Sequence, residues 1–250
     1  AKASHVPTLP WGLPQVELLK ALKATGKPVI LILTAGRPLA LTETEPLADA
    51  ILYTWSLGDQ AGRAMADVVF GDVNPSARLS TSFPRNVGQC PIYYNHKNTG
   101  RPHQDGAAYS RFNSNYLDCI HGPLYAFGHG LSYTTFEYSD VTLSNNEMTA
   151  DGQVKASVTV TNTGKRDGKE VVQLYVRDIY ATSSRPVKEL KGFEKISLKA
   201  GESKTVSFEI GRKQLEYYNH ALQLTVEPGD FEIMIGHDSQ HVNKAKLTVN

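Results

Sequence analysis

Two different hydrophobic periods divide the chain. Between Pro14 and Phe70, apolar residues recur at helical spacing or fill short continuous runs, whereas from about Tyr133 they alternate with polar residues. Helical spacing with continuous apolar runs is typical of α/β structure, and a period of two is typical of half-buried strands. The sequence therefore predicts an α/β segment followed by an all-β segment.

The α/β segment begins with an amphipathic helix and a buried strand. Pro14 suits a first helical turn, an apolar stripe follows it, and Gly26 ends the helix. The run from Val29 to Leu33 is apolar at every position, as expected of a parallel strand covered on both faces. Residues 50–53 repeat this pattern. A second helix has apolar side chains at i, i+3, i+4, i+7 and i+8, namely Ala61, Ala64, Met65, Val68 and Val69.

These elements predict a partial parallel sheet with flanking helices. Because two strands are too few for a stable sheet, we expect the α/β part to continue upstream of Ala1. The second half carries short alternating runs separated by turn residues, which is typical of a β-sandwich. Its predicted strands lie at 154–160, 172–176, 206–210, 222–226, 231–235 and 247–249.

The region between the two segments is rich in Pro, Gly, Asn, Ser and Tyr. It is too long for a simple connection, and its aromatic residues offer enough area to hold it on a surface. We therefore predict an ordered strap rather than a flexible linker. The predicted organisation is an α/β part at residues 1–87, a strap at 88–132 and a β-sandwich at 133–250.

The charge and hydropathy of the chain argue against two classes of partner, nucleic acid and membrane. Of 250 residues, 26 are Lys or Arg and 25 are Asp or Glu, so a net charge of +1 gives no basic excess for nucleic acid. The longest apolar run, from Val29 to Leu33, is far shorter than the ~20 residues of a membrane span. We expect a soluble, folded protein with neither nucleic acid nor membrane as a partner.

Cysteine and histidine spacing predicts no metal site and no cofactor. Cys90 and Cys119 are the two cysteines, and no C-x-x-C motif occurs. A disulfide between them and a pair of reduced thiols both remain open. His237 and His241 have metal-ligand spacing only on a helix, and here they follow a strand, so a polar turn explains them better. No G-x-S-x-G motif is present, so His96, His103, His121 and His129 do not indicate a catalytic triad.

Several long motifs then occur in a fixed order. They read GKPVILIL at 26–33, GRPLA at 36–40, DVVFGDVNPSARL at 67–79, SFP at 82–84, PLYAFGHGLSYTTF at 123–136, VTVTNTG at 158–164, EVVQLYV at 170–176, RPVKELKGF at 185–193 and EPGDF at 227–231. This series resembles the C-terminal portion of family 3 glycoside hydrolases, above all the bacterial periplasmic or secreted β-glucosidases. The resemblance implies that the sandwich at 133–250 is a fibronectin type III-like domain.

The resemblance implies a retaining mechanism with two carboxylates about 5 Å apart. In the family the nucleophile is an Asp on an N-terminal (β/α)₈ barrel, and the acid/base is usually a Glu on a loop of the α/β domain. Both precede the matching stretch, and Glu17, the first Glu here, fits the solvent face of the amphipathic helix. We therefore predict no catalytic residue in this chain, which alone would be inactive although its parent protein is a glycosidase.

Two side chains are predicted to lie near substrate. Trp55 follows a buried strand at its carboxyl end, the edge where open α/β sheets bind ligands. Its indole either stacks on a pyranose or fills the gap to the barrel. The Arg101 guanidinium either donates forked hydrogen bonds to sugar hydroxyls or a carboxylate, or holds the strap in place.

The resemblance also implies the partners of the chain. They are the N-terminal barrel, the rest of the α/β domain, and a β-linked oligosaccharide or aryl glycoside as substrate of the parent protein. It allows a homodimer, and it implies a periplasmic or secreted location. The alternative function is a structural or carbohydrate-contacting scaffold module without a catalytic role.

Overall fold

The computed structural model describes residues 13–102 and 109–250, and the chain divides into two compact units. The first unit holds the described residues up to 73 together with 81–93 and those of 101–126. The second unit holds residues 74–80, 94–100 and 127–250. Residues 88–132, predicted to form one strap, are therefore divided between the two units.

The first unit contains a two-stranded parallel sheet. Ile30 pairs with Ala50 at one end of it, and Leu33 pairs with Tyr53 at the other. The predicted α/β class with a partial parallel sheet is confirmed. Its elements are α1 (Leu13–Ala24), β1 (Ile30–Leu33), β2 (Ala50–Tyr53) and α2 (Ala61–Val69), with 3-10 helices at Glu45–Leu47 and Val87–Gln89.

One face of β1 is buried and the other is exposed. Leu31 and Leu33 are buried, whereas Ile30 and Ile32 are 52% and 41% exposed. The continuous apolar run predicts cover on both faces, and the described residues provide it on one face. Successive side chains of a strand point to opposite faces, and the elements of this unit bury only one of them. None of the described helices has the length and apolar composition needed to cross a membrane.

The second unit is a two-sheet β structure, which confirms the predicted sandwich class. Its elements are β3 (Phe136–Tyr138), β4 (Thr142–Leu143), β5 (Glu147–Met148), β6 (Gln153–Asn162), β7 (Gly168–Asp178), β8 (Glu189–Leu198), β9 (Ser203–Gly211), α3 (Arg212–Leu215), β10 (Tyr217–Tyr218), β11 (Leu224–Thr225), β12 (Gly229–Gly236) and β13 (Val242–Val249).

The two main sheets share one apolar core. One sheet has the order β5-β13-β12-β7-β8; in the other, β6 is flanked by β9 and by the short strands β3 and β4. Every neighbouring pair is antiparallel except β13 with β5. Inward side chains of the long strands form a single buried cluster, which includes Val158, Val160, Leu174, Ile233, Ile235 and Leu247. A short hairpin of β10 and β11 stands apart from both sheets.

Candidate functional site

The carboxyl ends of β1 and β2 are tied together by threonines. The amide of Thr54 donates to the carbonyl oxygen of Leu33 at 2.8 Å, and its hydroxyl donates to the same oxygen at 3.0 Å. The hydroxyls of Thr34 and Thr54 are 2.8 Å apart. Both strands therefore end at a defined edge, and Trp55 is the next residue along the chain.

Trp55 has a left-handed backbone conformation, with φ of 55°. This region is unfavourable for a bulky residue and costs roughly 1–3 kcal/mol, so it persists only where the surroundings enforce it. The half-buried indole packs edge-on against Tyr53 and Phe83, with ring centroids 5.1 and 6.0 Å away. Strain of this kind is concentrated at functional sites, which supports Trp55 as a site residue.

Phe83 is the centre of this aromatic cluster, which comprises Tyr53, Trp55, Phe83 and Tyr125. It is 1% exposed and contacts the Tyr53 ring at 4.8 Å and the Tyr125 ring at 6.0 Å. Its amide donates to the carbonyl oxygen of Tyr125 at 2.9 Å. This bond joins the segment of Phe83 to the distant segment of Tyr125. Sequence patterns alone assign neither Tyr53 nor Phe83 to a site, although Tyr53 ends the predicted strand at 50–53 and Phe83 lies in the SFP motif.

The hydroxyl of Tyr125 is held in its neutral form. Burial, together with the nearby carboxylate of Glu45, raises the pKa of Tyr125 to about 12. A phenol that stays protonated at neutral pH remains a hydrogen-bond donor. The Tyr53 hydroxyl donates to the carbonyl oxygen of Arg37, which ties the loop after β1 to this cluster.

The neighbours of Arg101 differ from those of Trp55. Its exposed guanidinium donates to the carbonyl oxygen of Phe112 at 3.5 Å, and its own carbonyl accepts from the amide of Ser114 at 3.2 Å. These bonds connect Arg101 to residues 112–114, whereas the ring contacts of Trp55 are with Tyr53 and Phe83. The described contacts therefore do not bring Trp55 and Arg101 together, and a sugar contact of either side chain stays a prediction.

Cys90 and Cys119 are not joined by a disulfide in the structure. Cys90 is exposed and Cys119 is partly buried. Burial raises the pKa of the Cys119 thiol, and the Asp118 carboxylate raises it further, which makes this thiol a weaker nucleophile at neutral pH. The disulfide between Cys90 and Cys119 stays a prediction.

A buried carboxylate is the centre of an ionic cluster in the second unit. Glu170 is fully buried and forms an ion pair with Arg78. It accepts a hydrogen bond from the Tyr138 hydroxyl at 2.8 Å and lies 3.0 Å from Nδ1 of His237. Burial raises the pKa of Tyr138, and the charge of Glu170 raises it further, so this phenol also stays protonated. Three partners surround the carboxylate, and this set indicates a structural cluster.

A second acid–histidine group lies in the turn between β12 and β13. Asp238 is buried, and its carboxylate lies 2.9 Å from Nδ1 of His241 and 3.7 Å from Nδ1 of His129. The amide of His237 donates to the carbonyl oxygen of His241 at 3.0 Å, which closes the turn. In the part of the chain that the structure describes, no cluster of His, Cys, Asp and Glu has a metal-binding arrangement. His103 and Asp105 lie outside the described residues.

Comparison with protein families identifies both parts of the chain. Residues 6–133 match the Glycosyl hydrolase family 3 C-terminal domain, and residues 170–239 match the Fibronectin type III-like domain. The periplasmic β-glucosidase of Salmonella typhimurium is 56% identical over 233 residues, which are 93% of this chain and 30% of that protein. A putative β-xylosidase of Formosa agariphila is 44% identical, over 93% of this chain and 29% of its own length.

Solved structures give the same result. The β-glucosidase of Listeria innocua, solved in complex with gluconolactone, is similar with a TM-score of 0.90 and 43% identity. This chain is covered to 94%, but only 32% of the Listeria chain is matched. The present chain thus spans about a third of the length of the relatives that it matches.

Proposed function

Since the chain belongs to family 3 of the glycoside hydrolases, we propose that it is the C-terminal portion of a retaining, exo-acting, β-glucosidase-like enzyme. In this proposal the nucleophile and the acid/base belong to the preceding portion, which comprises a (β/α)₈ barrel and the rest of the α/β domain. The observation that carries it is 56% identity to the Salmonella periplasmic β-glucosidase over only 30% of that protein.

An uncovered apolar surface in the first unit supports this proposal. It is the face of β1 that carries Ile30 and Ile32, which are 52% and 41% exposed; Leu18 and Leu22 on α1 are also exposed, at 61% and 47%. Complete burial of an aliphatic side chain of this size contributes about 1.5–3 kcal/mol. We propose that the rest of the α/β domain covers this surface, and we name it the uncovered face.

The chemistry of retaining hydrolysis assigns a supporting role to the present chain. Covalent catalysis needs a carboxylate nucleophile and a second carboxyl group as acid and then base. Asp49 does not suit the second role, because hydrogen bonds from the Val29 amide and from Lys23 lower its pKa. We therefore propose that this chain alone hydrolyses no glycoside, and that Trp55 and Arg101 contact substrate in the complete protein.

Substrate and location follow from the relatives. Those that match are named β-glucosidases and β-xylosidases, so the proposed substrate is a β-linked oligosaccharide or an aryl glycoside. The Salmonella relative is named as periplasmic, and a periplasmic or secreted location is proposed for the complete protein.

Fragment complementation tests the proposal. The purified chain is incubated with an aryl β-glucoside, alone and mixed with the portion of the Salmonella relative that precedes its matched region. We expect no turnover by the chain alone and turnover in the mixture, because only the mixture contains both carboxylates. Turnover by the chain alone, above that of a heat-inactivated sample, would refute the proposed inactivity.

Two matched variants locate the surface on which complementation depends. Ile32→Glu places a charge on the uncovered face, and we expect at least a tenfold loss of complemented activity, since about 1.4 kcal/mol of association energy suffices for that. Tyr218→Glu alters an exposed residue of the second unit and should leave the activity unchanged. Equal activity of the two variants would contradict the proposed role of the uncovered face.

A further inference from the structure

The two cysteines of the chain both belong to the first unit. Cys90 directly follows the 3-10 helix Val87–Gln89, and its amide donates to the carbonyl oxygen of Val87 at 3.1 Å. Cys119 lies in a segment that is neither helix nor strand. Since one compact unit holds both residues, the contacts within it determine how near the two thiols lie.

The residues at the two ends of this short helix contact the segment of Cys119. At the start of the helix, the side-chain amide of Asn86 donates a hydrogen bond to the sulfur of Cys119. At its end, the buried side chain of Gln89 donates to the carbonyl oxygen of Ile120 at 3.3 Å. The residue directly before Cys90 therefore contacts the residue directly after Cys119.

Tyr116 is a common neighbour of the two thiols. Burial raises the pKa of Tyr116, and the charges of Cys119 and Cys90 raise it further. A negative charge raises the pKa of a phenol in this way only when it lies nearby, so both sulfurs lie near one hydroxyl. This electrostatic observation agrees with the two hydrogen bonds from the short helix.

The backbone around Cys119 allows the two sulfurs to meet. A disulfide requires Cα atoms about 4.4–6.8 Å apart and side chains that point towards each other. Because Cys119 lies outside the helices and strands, its backbone is able to shift without breaking a ladder of hydrogen bonds. The exposed position of Cys90 leaves room for its side chain to turn.

We propose that Cys90 and Cys119 form a reversible disulfide within the chain when a small disulfide, such as oxidised glutathione, is supplied. The thiolate of Cys90 attacks one sulfur of the donor, and the other donor sulfur leaves as a thiolate. Cys119 then loses its proton and attacks the sulfur of Cys90, which releases the second half of the donor. Both cysteine sulfurs are oxidised, and the donor is reduced to two thiols by the two electrons and two protons that they lose.

The surroundings of the two thiols set the order of these steps. Cys90 is exposed and accessible to a donor in solution, whereas Cys119 is partly buried. Burial raises the pKa of Cys119, so less of its thiolate is present at neutral pH. Cys90 is therefore the attacking thiol and Cys119 the resolving thiol, and ring closure should become faster as the pH rises.

Oxidation of the complete 250-residue chain, followed by alkylation and mass spectrometry, tests the proposal. With oxidised glutathione we expect a single product that is lighter than the reduced chain by about 2 Da, the mass of two hydrogen atoms. Trypsin cleaves after Arg85, Lys97, Arg111 and Lys155, so the two cysteines fall on separate peptides, 86–97 and 112–155. These peptides should stay joined until dithiothreitol is added.

A comparison of the folded and unfolded chains shows whether the fold brings the thiols together. Ring closure should be at least about tenfold faster in the folded chain than in concentrated urea, because the fold raises the effective concentration of one thiol at the other. Equal or slower closure in the folded chain would contradict the proposal. So would two unlinked, alkylated cysteines after oxidation, or a disulfide between two chains.

Two serine variants of nearly equal size test the order of attack. Cys119→Ser lacks the resolving thiol, so it should accumulate glutathione on Cys90 and form no ring. Cys90→Ser should take up glutathione on Cys119 at least about tenfold more slowly, because that thiol is partly buried. Faster modification of Cys119 than of Cys90 would overturn the assigned roles. These measurements follow thiols, so their outcome is separate from that of complementation, which measures turnover.

Discussion

At the scale of single residues, Glu170 is a charged group at an inward position of a buried strand. Val172, Leu174 and Val176 alternate inward along β7, and Glu170 continues the same series by two residues. Burying a carboxylate is unfavourable unless it is paired and hydrogen-bonded. Arg78, Tyr138 and His237 meet that need here.

Asp238 provides a pH-dependent contribution to stability. Burial by itself raises the pKa of Asp238, but hydrogen bonds from His129 and His241 and from the amides of His241 and Gln240 outweigh it, and the net pKa is well below its usual range. A carboxyl whose pKa is lowered by folding stabilises the native state above its unfolded pKa of about 3.9. That contribution is lost as the pH falls through the folded pKa.

Asp238→Asn should therefore destabilise the protein at neutral pH by about 1–3 kcal/mol, through loss of the charge-assisted hydrogen bonds. Below about pH 4 the difference from the parent chain should narrow, because the Asp238 carboxyl of the unfolded parent chain takes up a proton there while that of the folded chain stays ionised to lower pH. Urea unfolding at a series of pH values measures this. Asp140→Asn, on an exposed aspartate, is the control and should show no such trend. A difference that stays constant with pH would contradict the role of Asp238.

At the scale of elements, one predicted strand needs correction and one long strand lies outside the predicted set. Residues 222–226 were expected to form a strand, but Leu222 has a left-handed φ of 58° and only Leu224–Thr225 is extended. The side chain of Asn219 accepts hydrogen bonds from the amides of Ala221 and Gln223, and a turn replaces the start of the strand. The long strand outside the predicted set is β8 (Glu189–Leu198), which lies at the edge of its sheet. Its burial alternates clearly only near its end, at Ile196 and Leu198, so its sequence shows a weak period of two.

Substitution of leucines should distinguish the buried strands from the exposed hairpin. Leu247 on β13 is fully buried, whereas Leu222 is 82% exposed. Leu247→Ala should lower the free energy of unfolding by about 2–5 kcal/mol, through lost burial and the cavity left behind. Leu222→Ala, the same change in the same unit, should cost less than about 0.5 kcal/mol. Equal losses in denaturant unfolding would show that the packing of β13 is not as described.

At the scale of the whole molecule, the second unit is not one continuous segment. Residues 74–80 and 94–100 belong to it as well as 127–250. The side chain of Asn74 accepts from the Tyr133 amide at 2.8 Å and donates to the Asp167 carbonyl oxygen at 2.9 Å. The predicted boundary at residue 133 therefore separates Glu170 from Arg78, its buried cation.

Because Arg78 precedes residue 133, Glu170→Gln should have opposite effects on the stability of the complete chain and of a chain truncated to residues 133–250. In the complete chain, Glu170→Gln leaves Arg78 without its buried anion and should cost about 3–5 kcal/mol. In a chain truncated to residues 133–250 Arg78 is absent, and removal of the uncompensated buried charge should instead be neutral or stabilising. Urea unfolding of both pairs measures the reversal. Glu137→Gln, on an exposed residue of β3, should have a small effect in both chains, and destabilisation by Glu170→Gln in both would contradict the prediction.

The fold class and the family follow from the sequence because both depend on patterns that are local. Helical spacing from Ala61 to Val69, alternation along β6, β7 and β12, and motifs such as SFP and EPGDF need no knowledge of distant residues. Backbone periodicity alone sets which face of an element is apolar.

Other properties depend on contacts between residues far apart in the chain, and these the tertiary structure decided. Examples are the pairing of Arg78 with Glu170, the meeting of Phe83 with Trp55, and the contact of Gln89 with Ile120. The apolar run of β1 predicts burial on both faces, yet the structure leaves Ile30 exposed. A strand's own residues set its preference for burial, but only the neighbouring elements determine whether that preference is met.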